Sequence, residues 1–156
     1  MSAREGNAEA LAAILEHAAG RGRARSLDYT GEVTPAEAWQ LHDAGAALIV
    51  DVRTRPEWEL VGRVVDAPLV EWRRYGATSP NPDFLAELGA VAGPDEALLF
   101  ICRSGVRSHH AAEVAARAGF RRVFNVLEGF EGDLDNRRQR GARGGWRAAG
   151  LPWEQS

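Results

Sequence analysis

Cys102 is the only cysteine in the chain, and the residues around it favour a chemical role. It follows the apolar run 98–101, which is too short for a helix and predicts a buried strand. A polar turn containing Gly105 comes next, and an alanine-rich helix is predicted from Ser108 to a stop at Gly119. Backbone amides and the helix dipole favour an anion at such a strand end, a condition that lowers the pKa of a thiol. We therefore expect Cys102 to be a nucleophile, although a lone cysteine beside an apolar run is more often a packing residue.

The turn after Cys102 supplies charge and hydroxyl groups. Arg103 and Arg107 are expected to attract an anionic substrate and to favour the thiolate, although a salt bridge explains Arg107 equally well. Ser104 and Ser108 are candidates to donate hydroxyl hydrogen bonds to the loop, and Ser108 is explained equally well as a helix cap. The predicted active-site loop consists of Cys102, Arg103, Ser104, Gly105, Val106, Arg107 and Ser108.

Two thiolate chemistries use a strand, a tight turn and a helix. Cysteine phosphatases with a Cys-x5-Arg loop would need an arginine at position 108, where this chain has serine, and Arg107 comes one residue early. A loop one residue shorter suits the terminal sulfur of a persulfide, which is smaller than phosphate. The spacing therefore favours sulfur transfer, and a phosphatase or arsenate reductase is the weaker alternative.

The elements around this loop alternate between strands and helices, which predicts an α/β fold with a mostly parallel sheet covered by helices on both faces. Ligands of such sheets bind beyond the carboxyl ends of the strands, where both Cys102 and Asp51 are expected. The predicted strands are 47–50, 98–101, 122–127 and a short one between Val61 and Trp72. The predicted helices are 7–19, 34–45, a short helix that begins at Pro56, a helix capped at 81–83 that ends at Gly93, and 108–119.

Composition excludes several classes of function. All 19 basic residues are arginine, so no lysine is present for Schiff-base chemistry, and a net charge of −3 argues against nucleic acid as a partner. One cysteine excludes an internal disulfide and a cysteine-rich metal site. No leader pattern or membrane-length apolar run occurs, so a cytoplasmic protein without membrane contact is expected. We predict neither a cofactor nor a metal, and expect His109 and His110 to be exposed on their helix.

Two segments lie outside the predicted core. Residues 1–27 are predicted to be a helical extension, with a mobile linker at 21–25, attached to a domain at 28–156. An acidic and then a basic stretch near 131–145 forms a charged insertion, interpreted as solvated surface in preference to a partner-binding segment. Trp146 and the segment 151–153 are expected to fold back on the core.

The loop 102–108 resembles the active-site loop of rhodanese-type sulfurtransferases, and four further segments resemble that family in the same order. The resemblance covers residues 30–153 as one domain, while the insertion and the N-terminal helix are additions, and Arg63, Val65 and Asp66 stand where the family has histidine, proline and glycine. The further segments are Asp51-Val52-Arg53 with Glu57-Trp58, 62–67, 125–129 and 146–152.

This resemblance implies a rhodanese-like three-layer fold and a double-displacement reaction through a persulfide on Cys102. It implies a small anionic donor such as thiosulfate and a cyanide or thiol acceptor, with a protein as a further class of acceptor. We expect Asp51 and Arg53 to support the loop, and count Arg63 and Trp72 as pocket candidates, although core packing explains Trp72 better. The alternative function is a sulfur carrier or regulatory binding module without turnover.

Overall fold

The computed structural model describes residues 3–156, with side chains from residue 6 onward. Its centre is a parallel sheet of four strands in the order β1-β5-β4-β2, and a separate antiparallel pair joins β3 to β6. The strands are β1 (Gly31–Val33), β2 (Leu48–Asp51), β3 (Arg63–Val64), β4 (Ala97–Ile101), β5 (Arg122–Val126) and β6 (Trp153–Glu154).

Helices cover both faces of the sheet, as the sequence predicts. They are α1 (Ala3–Ala24), α2 (Pro35–Asp43), α3 (Phe84–Val91) and α4 (Val106–Arg117), with a π-helical turn at Glu57–Val61. Along β4 the side chains alternate, so that Leu98 and Phe100 pack with α3 and α4, while Leu99 and Ile101 pack with α1 and α2. Cys102 continues the first series and therefore faces the α3 and α4 side.

The predicted linker at 21–25 is wrong, because α1 continues as a helix through Ala24. Arg21 donates hydrogen bonds to both carboxylate oxygens of Glu37 at 2.7 and 3.0 Å. Gly22 lies so close to the backbone of Thr30 that a side chain there would collide with it, which lets α1 pack directly against β1. The division of the chain at residue 27 stays a prediction.

The short strands β1 and β6 were not predicted, since three and two residues are too few to show alternation. Trp146 is fully buried, and its Nε1 donates a hydrogen bond to the carbonyl of Pro152 at 2.8 Å, which confirms that this segment folds back. Across residues 3–156, no helix is both long and apolar enough to span a bilayer.

Candidate active site

Cys102 lies directly beyond the carboxyl end of β4 and is only 1% exposed. The backbone amide of Gly105 donates a hydrogen bond to its Sγ at 3.1 Å, and the Ser108 hydroxyl lies 3.2 Å from the same sulfur. An amide donor stabilises negative charge on sulfur more than it stabilises a neutral thiol. The loop therefore provides a fixed polar environment for a sulfur anion.

Asn125 fixes the direction of the Ser108 hydroxyl. Its Nδ2 donates to the carbonyl of Gly105 at 3.1 Å, so its Oδ1 must be the acceptor of the 2.6 Å hydrogen bond from Ser108. The single hydroxyl proton of Ser108 is used in that bond, and its oxygen can only accept from the Cys102 thiol. Asn125, which the sequence analysis did not single out as a site residue, thus positions both the loop and the serine beside the sulfur.

The helix after the loop begins at Val106 and not at Ser108, because Gly105 turns the chain with a φ of 108°. Ser108 lies in the first turn of α4, fully buried, and makes no capping hydrogen bond. The interpretation of Ser108 as a helix cap is therefore wrong, and its hydroxyl belongs to the sulfur site.

The turn after β5 packs against the back of the loop. The amides of Phe130 and Glu131 donate to the carbonyls of Cys102 and Arg103 at 2.8 and 2.9 Å. Gly129 has a φ of 65°, and a Cβ there would lie 2.6 Å from the Arg103 carbonyl carbon and oxygen. Only glycine permits this approach, so the turn locks the loop backbone from behind.

Arg107 forms a salt bridge, which is one of the two roles that the sequence allowed for it. Its two terminal nitrogens donate to the two carboxylate oxygens of Glu57 at 2.7 and 2.9 Å. Burial alone would raise the pKa of Glu57, but the hydrogen bonds and charge of Arg107, together with hydrogen bonds from Thr54, lower it to about 2. The hydrogen bond to Glu57 raises the pKa of Arg107 above its usual value, although burial acts in the opposite direction. The charge of Arg107 is therefore compensated, and Arg103 is the loop arginine left to meet an anion.

Asp51 and Arg53 form a buried ion pair at the end of β2, beside β4. The Arg53 guanidinium donates to the Asp51 carboxylate, with a shortest distance of 2.7 Å, and to the carbonyl of Gly62 at 2.6 Å. Its carbon also lies 4.5 Å from the centre of the Phe130 ring. These contacts tie β2, the Gly62 turn and the segment behind the loop together, in keeping with the supporting role that we predicted.

The other two pocket candidates lie away from the loop. Arg63 stacks over the ring of Trp58 at 4.0 Å and lies 3.5 Å from the Glu154 carboxylate. Trp72 is buried in the core with its ring edge-on to Phe84. Neither lines the cavity over the loop. The burial of Trp72 confirms the expectation of core packing, and a supporting role for Arg63 stays a prediction.

A cavity of about 690 Å³ lies over the loop, and the charged insertion forms one of its walls. The insertion residues that line it are Glu131, Leu134, Arg138 and Arg140. Asp133, Arg137, Arg138 and Arg143 are exposed, as expected for solvated surface, but part of the segment also lines this cavity. Charge runs do not reveal on which side of a fold they pack, so the sequence offered no indication of this wall.

The histidines of α4 lie apart from the sulfur contacts. His110 is exposed, as predicted, whereas His109 is half-buried with its Nδ1 2.7 Å from the Tyr29 hydroxyl. Ligand atoms of His109, His110 and Glu113 lie within 4.8 Å of one another, although exposed groups of this kind are common without an ion. We assign no metal to them.

Comparison with known proteins gives a consistent match. The family model described as "Rhodanese-like domain" matches residues 34–135. The crystal structure of Rv0390 from M. tuberculosis is 45% identical, with a TM-score of 0.74 over 82% of this chain and 99% of that one. The uncharacterized protein RP600 of Rickettsia prowazekii is 32% identical over 69% of this chain and 83% of its own length. The thiosulfate sulfurtransferase GlpE of Actinobacillus succinogenes is 28% identical over 79% of this chain and 89% of its own length.

Proposed function

We propose that this chain, which belongs to the family of rhodanese-like domains, is a sulfurtransferase that carries sulfur as a persulfide on Cys102. The donor in this proposal is a small anion such as thiosulfate, and the acceptor is cyanide or a thiol. The observation that carries it is the Gly105 amide 3.1 Å from the Cys102 sulfur, at the floor of a loop with Cys-x4-Arg spacing. The cycle begins and ends with a reduced Cys102 thiolate, so a cytoplasmic location is part of the proposal.

The reaction divides into two displacements. In the first, the Cys102 thiolate attacks the outer sulfur of thiosulfate, the sulfur–sulfur bond of the donor breaks, and sulfite leaves with the electron pair. In the second, the cyanide carbon attacks the outer sulfur of the persulfide, and the bond between the two sulfurs breaks. Thiocyanate leaves and the Cys102 thiolate returns, so that no oxidant or cofactor is consumed.

Each site residue has a part in this scheme. The Gly105 amide stabilises negative charge on the attacking sulfur and later on the leaving thiolate. Arg103, which forms no ion pair with a carboxylate of residues 6–156, attracts the anionic donor, while Arg107 and Glu57 hold the helix start in place. Asn125 holds the loop through Ser108 and the Gly105 carbonyl, and the Ser108 oxygen can accept a hydrogen bond from Cys102 only while Cys102 is a thiol.

The test is thiocyanate formation from thiosulfate and cyanide by the purified protein, measured for the wild type and for Cys102→Ser. We expect the variant to lose about a thousandfold or more in kcat, because the nucleophile is removed. Activity that survives in the variant would contradict the assignment of Cys102. A parallel assay with an aryl phosphate tests the phosphatase alternative, and we expect no hydrolysis.

The carrier alternative makes a different prediction in the same experiment. A non-turnover module would accept one sulfur and release it to neither cyanide nor small thiols. Steady thiocyanate formation over many turnovers would reject that alternative. A single stoichiometric loading without release would favour it over the enzyme.

A further inference from the structure

The cavity over the loop carries more positive charge than a simple sulfur donor needs. Six arginines and two glutamates line it. Both glutamates are engaged, Glu57 with Arg107 and Glu131 with Arg147 at 3.7 Å. Arg74 is engaged as well, with Asp83 and Glu87. Four lining arginines form no ion pair with a carboxylate of residues 6–156: Arg73, Arg103, Arg138 and Arg140.

These four arginines come from three separate parts of the chain, and the fold holds their backbones in place. Arg103 belongs to the active-site loop, Arg73 to the segment after Trp72, and the other two to the insertion. Asp135 accepts hydrogen bonds at its Oδ1 from the amides of Arg137 and Gln139, which shapes the turn. Arg138, between them, adopts a left-handed φ of 62°.

The insertion is also fastened to the loop that it faces. The amides of Glu131 and Gly132 both donate to the Arg103 carbonyl, at 2.9 and 3.2 Å. Arg140 donates from its guanidinium to the Gly132 carbonyl at 2.7 Å. These hydrogen bonds hold the insertion beside the active-site loop, where Arg138 and Arg140 line the same cavity as Arg103.

The cavity has room for a ligand larger than a five-atom anion. About 690 Å³ lies within the range that proteins use for organic ligands of moderate size. Apolar side chains share the wall, since Tyr75 is 78% exposed and Leu134 is 40% exposed while both line the cavity. The lining therefore combines several free cations with apolar surface, as an organic polyanion requires.

We propose that the acceptor is a small organic thiol that carries two or more anionic groups, recognised by Arg138 and Arg140 of the insertion together with Arg73 and Arg103. This inference rests on the proposed function, because the acceptor thiolate attacks the outer sulfur of the Cys102 persulfide. The bond between the two sulfurs breaks, the Cys102 thiolate leaves with the electron pair, and the acceptor becomes a persulfide. The anionic groups stay with the arginines in the cavity, and only the thiol reaches the buried sulfur.

The experiment isolates the second displacement. The enzyme is loaded with thiosulfate, freed of donor, and mixed with one of three acceptors: neutral mercaptoethanol, mercaptosuccinate with two carboxylates, or mercaptoethyl phosphate. The rate of persulfide loss is followed by mass spectrometry for the wild type and for the double variant Arg138→Ala with Arg140→Ala. Taking the ratio of variant to wild type for each acceptor cancels differences in thiol reactivity.

We expect the double variant to slow transfer to both dianionic thiols about tenfold or more and transfer to mercaptoethanol by less than about twofold. Comparison of the carboxylate and phosphate acceptors shows which anion the site prefers. The matched control is Arg137→Ala with Arg143→Ala, which removes the same charge from the same segment, but from two residues that line another cavity. This control should change none of the three rates.

Equal losses for neutral and dianionic acceptors would overturn the inference. The single variant Arg138→Ala tests the same inference without disordering the insertion. The Arg138 side chain makes no hydrogen bond or ion pair with residues 6–156, so its removal breaks no contact that holds the turn. This variant should slow only the dianions, by about threefold, and an equal change for mercaptoethanol would again overturn the inference. Failure to load any persulfide would instead refute the proposed function.

Discussion

Two cavities of similar size lie at opposite ends of the same sheet. The one over the Cys102 loop, at the carboxyl ends of the strands, has about 690 Å³, and the one at the amino ends has about 620 Å³. Their charges are opposite, since the second contains four carboxylates and one arginine: Asp43, Asp66, Asp95, Glu96 and Arg122. Volume therefore does not distinguish a functional site here, whereas the position in the sheet and the free charges do.

The histidine of the amino-end cavity is used for structure. His42 accepts a hydrogen bond at Nδ1 from the Ile49 amide at 3.0 Å, and its Nε2 lies 2.9 Å from the Val65 carbonyl. Both ring nitrogens are occupied by backbone hydrogen bonds, so the ring links the end of α2 to β2 and to the Val65 turn. At the other end, by contrast, a thiol and four arginines that pair with no carboxylate of the described side chains are left to meet a ligand.

The largest difference between the two ends should be in stability. Arg53–Asp51 and Arg121–Asp95 have similar distances, 2.7 and 2.6 Å, but the first pair is at most 1% exposed and the second is more than 70% exposed. Arg53→Met leaves Asp51 charged and buried, which should lower the free energy of unfolding by about 3–5 kcal/mol. Arg121→Met should change it little. Urea unfolding of both variants checks this, and equal effects would show that burial does not separate the two ends.

The effect of an Arg→Glu substitution on kcat/KM can be compared between the two cavities. Arg103→Glu puts a negative charge beside the incoming thiosulfate, so kcat/KM for the donor should fall about tenfold to a hundredfold. Arg122→Glu makes the same change in the amino-end cavity and should leave kcat/KM within about twofold. Steady-state kinetics at low ionic strength measure both. A comparable loss in the Arg122 variant would mean that the overall field of the protein, and not the site, attracts the donor.

The salt bridge of the active-site end should appear in the pH dependence of stability. The folded pKa of Glu57, about 2, lies below the 4.5 of an unperturbed glutamate, so its contribution is fully present above pH 4.5 and is lost as the pH falls towards 2. Glu57→Gln should therefore lose on the order of 2 kcal/mol at pH 6, and about half of that or less at pH 3.

Asp43→Asn, in the amino-end cavity, removes the same charge and serves as the control for Glu57→Gln. Unfolding measured from pH 7 down to pH 3 gives the profiles of both variants. A Glu57→Gln profile that runs parallel to the wild type would show that the salt bridge contributes nothing.

The smallest expected effect concerns Ser108. Ser108→Ala removes one buried hydroxyl and leaves Asn125 Oδ1 without its donor, which should cost about 1–2 kcal/mol in stability and a few-fold in kcat. Ser79→Ala, in an exposed loop, is the matched control and should behave as the wild type. A variant with unchanged kcat and unchanged stability would remove Ser108 from the site.

Much of this architecture follows from the sequence, and the failures have physical causes. The apolar runs that become β2, β4 and β5 were recognisable because buried parallel strands need little polar surface. Asn125 is an amide within such a run, and that interruption was the available indication of its role at the loop. The position of the insertion depends on backbone hydrogen bonds to Arg103, which no pattern of side chains encodes.

The N-terminal helix shows a second limit. Gly20 and Gly22 predict an end to the helix, yet the helix continues because Gly22 permits close packing against the backbone of Thr30. A glycine that would end an isolated helix can thus be accommodated in a helix that packs closely against a strand. The outcome depends on the neighbouring strand, which the local sequence does not show. Similarly, the sequence allowed Arg107 either to attract substrate or to form a salt bridge. Glu57 lies close enough to pair with it, so the structure shows the salt bridge.

The central claim is that Cys102 holds the transferred sulfur, and intact-protein mass spectrometry tests it most directly. After treatment with thiosulfate, the wild type should gain about 32 Da on the peptide that contains Cys102, and cyanide should remove the added mass as thiocyanate forms. Cys102→Ser should gain nothing. Thiocyanate formation without an adduct, or an adduct that cyanide leaves in place, would contradict the account.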